Sequence, residues 1–168
     1  MPHFYPAHLK DLPYRGKLSY ALRFGTEQRA ANLGAPEAVD LVAAQLLRAG
    51  REQGFAIVVY CLMPDHAHLV IDGERDDSNC LAFIKAAKQY SGYYYKQRYQ
   101  RQLWQRYGYE RVIRNYMERA LTIRYVLANP VRAGLVADPR RYYGLGSQKH
   151  TIEELMELSE YSNAYLLD

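Results

Sequence analysis

Three observations predict an α+β fold for this chain of 168 residues. Some segments are β-branched or alternate between apolar and polar residues. Others repeat apolar residues at helical spacing. Their order, β-α-β-β-α-β-α, suggests an antiparallel sheet with helices packed on one face, a ferredoxin-like sandwich. Hydrophobic residues make up 49% of the chain, and this length fits a single domain over 1–168, with a core at about 14–143 and an acidic helical tail at about 150–168.

In chain order, KLSYALRFGT alternates loosely ahead of Gly25 and Thr26 and gives a first strand near 18–24. Pro36 opens a helix whose apolar face is Val39, Val42, Ala43, Leu46, Leu47 and Gly50, and Gly54 ends it. FAIVVYCLM is a buried strand. Pro64 and Asp65 turn the chain, and HAHLVIDG returns as the second arm of a hairpin. Asp77 or Ser78 caps the next helix, with Cys80, Phe83, Ile84, Ala87 and Tyr94 as its apolar face. Lys85, Lys88, Gly92, Tyr95, Lys96 and Tyr99 fall on another face. A basic loop over 100–106 leads to a strand at YERVIRN. NYMERALTIRYVLANP reads as a helix that stops at Pro130, because the residue before proline disfavours helical geometry. Met117, Ala120, Leu121, Ile123, Val126, Leu127 and Ala128 mark that helix as buried on several sides. A short acidic helix follows near 151–158.

The net charge is only +4, but its distribution is uneven. Ten Lys and Arg between 81 and 125 face only Glu110 and Glu118, whereas no Lys or Arg follows Lys149. Tyr90, Tyr93, Tyr94, Tyr95, Tyr99, Tyr107 and Tyr109 lie among these cations, out of 17 tyrosines in all. Cations interleaved with aromatic rings suit single-stranded nucleic acid, whose bases stack while its phosphates pair. A solvated basic helix face gives the same pattern. No apolar run reaches the ~18 residues that cross a bilayer. MPHFYPAHLKDLPYRG lacks the apolar core of a secretory signal. Cys61 and Cys80 lie in apolar segments and read as buried thiols of a reducing cytoplasm.

The densest chemistry is CLMPDHAHLVID. On a strand, His66 and His68 leave the same face with backbones roughly 6–7 Å apart, close enough to converge on one divalent cation. A pair of solvent-facing polar residues is the alternative. A second signal lies on the later helix, where Glu118, Thr122, Tyr125 and Asn129 form one polar line, Tyr125 and Asn129 being one turn apart. A polar line on a buried helix needs partners, since each unpaired buried group costs about 1–3 kcal/mol. A core tyrosine with a satisfied hydroxyl and a helix-capping Asn129 would also fit.

CLMPDHAHLVID, LWQRYGYERVIRN and IRYVLANPVRAGLV, in that order, resemble the single-tyrosine HUH transposases, the IS200-like group, and most of all their REP-associated tyrosine branch. The resemblance runs from the first strand to about Tyr143, after which this chain reads GLGS and departs from it. It implies an HUH endonuclease-like fold and a metal-dependent enzyme that cleaves and rejoins single-stranded DNA near hairpins through a 5′-phosphotyrosine. It further implies that His66, His68 and Asn129 hold the metal, Mg²⁺ or Mn²⁺, and that Tyr125 is the nucleophile. Glu118 or Thr122 would then orient Tyr125 or a metal-bound water. Lys85, Lys88, Arg106, Arg111 and Arg114 are candidate DNA contacts. The expected place of work is the bacterial cytoplasm, with a homodimer and a monomer both open. A histidine-triad nucleotide hydrolase fits less well, because Val70 stands where a third histidine is needed. A non-catalytic nucleic-acid-binding descendant of the same fold is the remaining alternative.

Overall fold

The computed structural model describes residues 14–161, so the ends of the chain, including residues 162–168 of the expected acidic tail, lie outside the described residues. Five antiparallel strands form one sheet: β1 (Ser19–Thr26), β2 (Phe55–Met63), β3 (His66–Gly73), β4 (Trp104–Ile113) and the two-residue β5 (Leu145–Gly146). Their spatial order is β4-β1-β3-β2-β5. The helices are α1 (Pro36–Gln53), α2 (Cys80–Tyr99), α3 (Tyr116–Arg132) and α4 (Ile152–Leu158). No helix among the described residues is long and apolar enough to cross a membrane.

The α+β class and the antiparallel sheet follow the sequence reading, and α1 and α2 pack side by side on one face as in a ferredoxin-like sandwich. Helices cover the other face too. Tyr20, Leu22, Phe24, Leu69 and Ile71 belong to a core beneath α1 and α2. Val59, Cys61, Met63 and Val70 belong to a second core, which Ile123, Val126 and Leu127 of α3 and Leu155 of α4 close from the opposite side. β2 serves both cores by alternation, and an extra residue in its pairing with β3 between Ile57 and Val59 reverses which of its side chains face which layer. Leu145, Leu155 and Tyr161 carry this second core past residue 143, where the sequence reading ended it.

Punctuation residues set α1 as expected, with Pro36 at its first turn and Gly54 closing it in the left-handed conformation at φ 74°. The cap of α2 is different. Asn79, not Asp77 or Ser78, accepts the Ala82 N–H at 3.1 Å. Ser78 is fully buried and donates to the Gly54 carbonyl instead, at 2.7 Å. The inner stripe of α2 is Cys80, Phe83, Ala87, Ser91 and Tyr95. Tyr95 is therefore buried, its hydroxyl donating to the Asn32 carbonyl, while Tyr94 is exposed, the reverse of the expected faces. The strand expected at YERVIRN begins earlier, at Trp104. The indole there donates to Ser91 at 2.8 Å and lies edge-on to Phe24.

Helix α3 also departs from the expectation. It continues through Pro130 to Arg132. A proline in the last turn deletes only one backbone bond, so it does not end the helix there. Met117 and Leu121 are 72% and 46% exposed, so α3 buries one face only. A bidentate ion pair fixes its start against the sheet. Both Arg119 Nη atoms donate to the Asp72 carboxylate at 2.7 Å, and Ser19 Oγ donates to it as well. Burial alone would raise the Asp72 pKa, but the bonds from Arg119 and Ser19 outweigh it and hold the carboxyl below its usual value. A depressed folded-state pKa contributes stability that is present above the unfolded value of about 4 and lost as the pH falls through the folded one. Asp72→Asn should therefore cost about 1–2 kcal/mol at neutral pH and flatten the loss of stability below pH ~4, as read by urea unfolding across pH.

Candidate active site

The β2–β3 turn presents the two histidines in a fixed frame. The Asp65 carbonyl accepts the Thr26 hydroxyl at 2.9 Å, and the Pro64 carbonyl accepts the Leu33 N–H at 3.0 Å. His66 and His68 then leave β3 on the face that α3 covers, with ring centroids 4.9 Å apart and planes perpendicular. Asp65 Oδ1 lies 2.6 Å from His66 Nδ1. Burial pushes the Asp65 pKa up, but the bond and charge of His66, with Arg29, bring it below the usual carboxylate value. The carboxylate can therefore only accept, which puts the proton on His66 Nδ1 and leaves Nε2 with a free lone pair.

Burial pushes His68 down to about 3, with the His66 ring and Arg23 acting in the same direction. Burial also lowers His66, against the bond that it donates to Asp65. Both rings are thus neutral near pH 7, the form in which imidazole binds a metal. Among the described residues no third His, Cys, Asp or Glu joins them. Two nitrogens completed by amide, water or phosphate oxygens fit a divalent cation that stays open to a phosphodiester.

Helix α3 brings Tyr125 to this pair. Its ring meets His68 edge to face at 5.5 Å, and Arg132 lies over it at 5.6 Å. The hydroxyl-bearing side chain is 42% exposed, open to a substrate from solvent. One turn on, Asn129 donates its amide N–H to the Tyr125 carbonyl at 2.8 Å. Its carboxamide oxygen has no hydrogen-bond donor among the described residues. A cavity of about 180 Å³ opens beside Tyr125 and His68, lined also by Ala21, Arg23, Tyr109, Arg111 and Thr122 among others.

Glu118 and Thr122 do not bond to Tyr125, the first of the two roles expected for them from sequence. Both hold Arg111, which ion-pairs with Glu118 and donates to Thr122 Oγ1 at 3.0 Å. Arg111 thus reaches the cavity already neutralised. Arg114 is exposed ahead of α3, and its backbone N–H also donates to Glu118. Lys85, Lys88 and Arg106 lie elsewhere, along a groove of about 570 Å³ between α2 and β4. Lys88 donates to the carbonyls of Gln105 and Arg106, both at 2.9 Å, so it braces β4. Tyr109 borders both groove and cavity.

Two site residues escaped the sequence reading, Arg23 and Asp65, and Tyr109 was read there only as one of the rings among the cations. Their signals were present. Leu22 and Phe24 alternate inward, so Arg23 faces the opposite side with His68. Asp65 directly precedes the first histidine.

A family described as Transposase IS200 like matches residues 16–122, a span that contains both histidines and ends ahead of Tyr125. No curated protein matches. Among solved structures, a REP-associated tyrosine transposase bound to a REP hairpin aligns at 15% identity, covering 94% of this chain and 93% of its own, with a TM-score of 0.74. A candidate transposase from Deinococcus radiodurans aligns at 23% identity over 70% of this chain and 95% of its own, with a TM-score of 0.53. At these identities the likeness is one of fold.

Proposed function

This chain belongs to the IS200-like transposase family, and from that premise we propose that it is a metal-dependent endonuclease and strand-transfer enzyme for single-stranded hairpin DNA. The observation that carries the proposal is the meeting of the His66–His68 pair with the Tyr125 ring in one chain. The fold neighbour bound to a REP hairpin supports the choice of substrate.

In this reading His66, His68 and the Asn129 amide oxygen would hold Mg²⁺ or Mn²⁺. The bound cation would draw charge from the scissile phosphate and so favour attack on it. The Tyr125 hydroxyl attacks phosphorus, forming the P–O bond to tyrosine while the bond to the 3′ oxygen breaks. The phenolic proton passes to solvent, and the departing oxygen takes up a proton from solvent to leave as a 3′-hydroxyl. A phenol with a reference pKa near 10 is a weak nucleophile at neutral pH, so in-line placement by α3 supplies much of the rate. The 5′-phosphotyrosine keeps the energy of the phosphodiester, and attack by a 3′-hydroxyl reverses the step to rejoin strands. The groove between α2 and β4, with Lys85, Arg106 and exposed Tyr107, suits the flanking DNA. The chain would do this work on DNA in the cytoplasm.

Incubation with a single-stranded hairpin and Mg²⁺ should give a protein–DNA adduct that survives denaturing electrophoresis and disappears with a chelator. A mobility shift without any adduct would favour the non-catalytic binding protein instead.

A further inference from the structure

We infer that Arg23 is the residue that contacts the scissile phosphate, an assignment that rests on the reading of the site above. Arg23 sits directly opposite His68 on β3 and Tyr109 on β4 in the strand register. Side chains so paired leave the sheet on the same face with Cβ atoms about 4.5–5.5 Å apart. Arg23 therefore stands in the wall of the cavity that His68 and Tyr125 share. Two residues along the same face, Ala21 is small and leaves that space open.

The charges of this face single out Arg23. Arg111 is engaged by Glu118 and Thr122, Arg119 by Asp72, and Arg132 packs over the Tyr125 ring. Arg23 is partly buried, yet it forms no hydrogen bond or ion pair among the described residues. A partly buried guanidinium without an anion is costly, and the two imidazoles beside it supply no negative charge. A phosphodiester would supply the missing anion. The planar guanidinium fork matches two phosphate oxygens at once, as a lysine does not. Arg111, one of the arginines that the sequence pointed to, then serves to build the cavity wall, its charge already met by Glu118.

The test compares wild type, Arg23→Ala and Arg23→Lys on a single-stranded hairpin with Mg²⁺. Alongside, the His68 and Tyr125 ring signals are followed by NMR as the dinucleotide TpT is added without metal. At saturating DNA, Arg23→Ala should slow adduct formation by about 100-fold and Arg23→Lys by about tenfold. Hairpin affinity should change by less than about threefold, because most phosphate contacts lie outside the cavity. TpT should shift both ring signals in wild type and neither in Arg23→Ala. If the alanine variant melts early, Arg23→Gln, which keeps most of the aliphatic stem, takes its place. Adduct formation within about threefold of wild type, or an undiminished TpT response in the variant, overturns the assignment. If wild type itself forms no adduct, the nuclease reading fails, and the TpT titration alone decides for or against Arg23.

Discussion

Tyr125→Phe should abolish covalent capture of hairpin DNA, lowering it by at least about three orders of magnitude, because phenylalanine carries no hydroxyl to form the bond to phosphorus. The substitution removes one oxygen and leaves the ring. Its edge-to-face contact with His68 and the Arg132 guanidinium above it remain. Stability should therefore stay within about 0.5 kcal/mol of wild type, and hairpin binding should persist. Denaturing gels read the adduct, and fluorescence anisotropy reads the binding. The informative control is Tyr109→Phe, since Tyr109 is the other phenol lining the same cavity. An adduct retained in Tyr125→Phe and lost in Tyr109→Phe would move the nucleophile from α3 to β4.

The largest effect on stability is expected on the opposite face of the sheet. Phe83 of α2 is fully buried, with its ring centroid 5.5 Å from that of Phe55 on β2, which in turn meets Tyr20 of β1 at 6.1 Å. Phe83→Ala removes the outermost ring of this stack and leaves a cavity that neighbouring strands cannot close. The expected cost is about 3–5 kcal/mol, equivalent to a fall in melting temperature of roughly 10 °C. Urea unfolding measures it directly, and a loss under about 1.5 kcal/mol would mean that the helix layer collapses into the gap. Because the histidines face away from this layer, the folded fraction should still form adduct at the wild-type rate.

How much of this was legible in the sequence depended on the type of signal. Where backbone chemistry punctuates the chain, the reading was sharp. Pro36 and Gly54 bound α1, and Pro64 and Asp65 separate two strands whose limits match the apolar pattern. Which of two adjacent residues turns inward was harder. Tyr94 and Tyr95 differ by 100° of helix rotation, and only the packing of α2 against α1 and the loop carrying Asn32 decides between them. The several-sided burial expected for α3 failed because apolar residues are tolerated on a surface, and Met117 and Leu121 lie there. At the site, the HxH spacing and the Tyr–Asn turn were visible as local patterns. The meeting of Arg23, Tyr109 and Arg111 around them was not, since it arises from strand neighbours far apart in sequence.

His66, His68 and Tyr125 are drawn together by a strand and a helix of the same polypeptide. On the proposed reading, each copy would carry a whole reaction centre from the moment it folds. A protein made in very few molecules per cell would then lose nothing to dilution, as a centre divided between two subunits would.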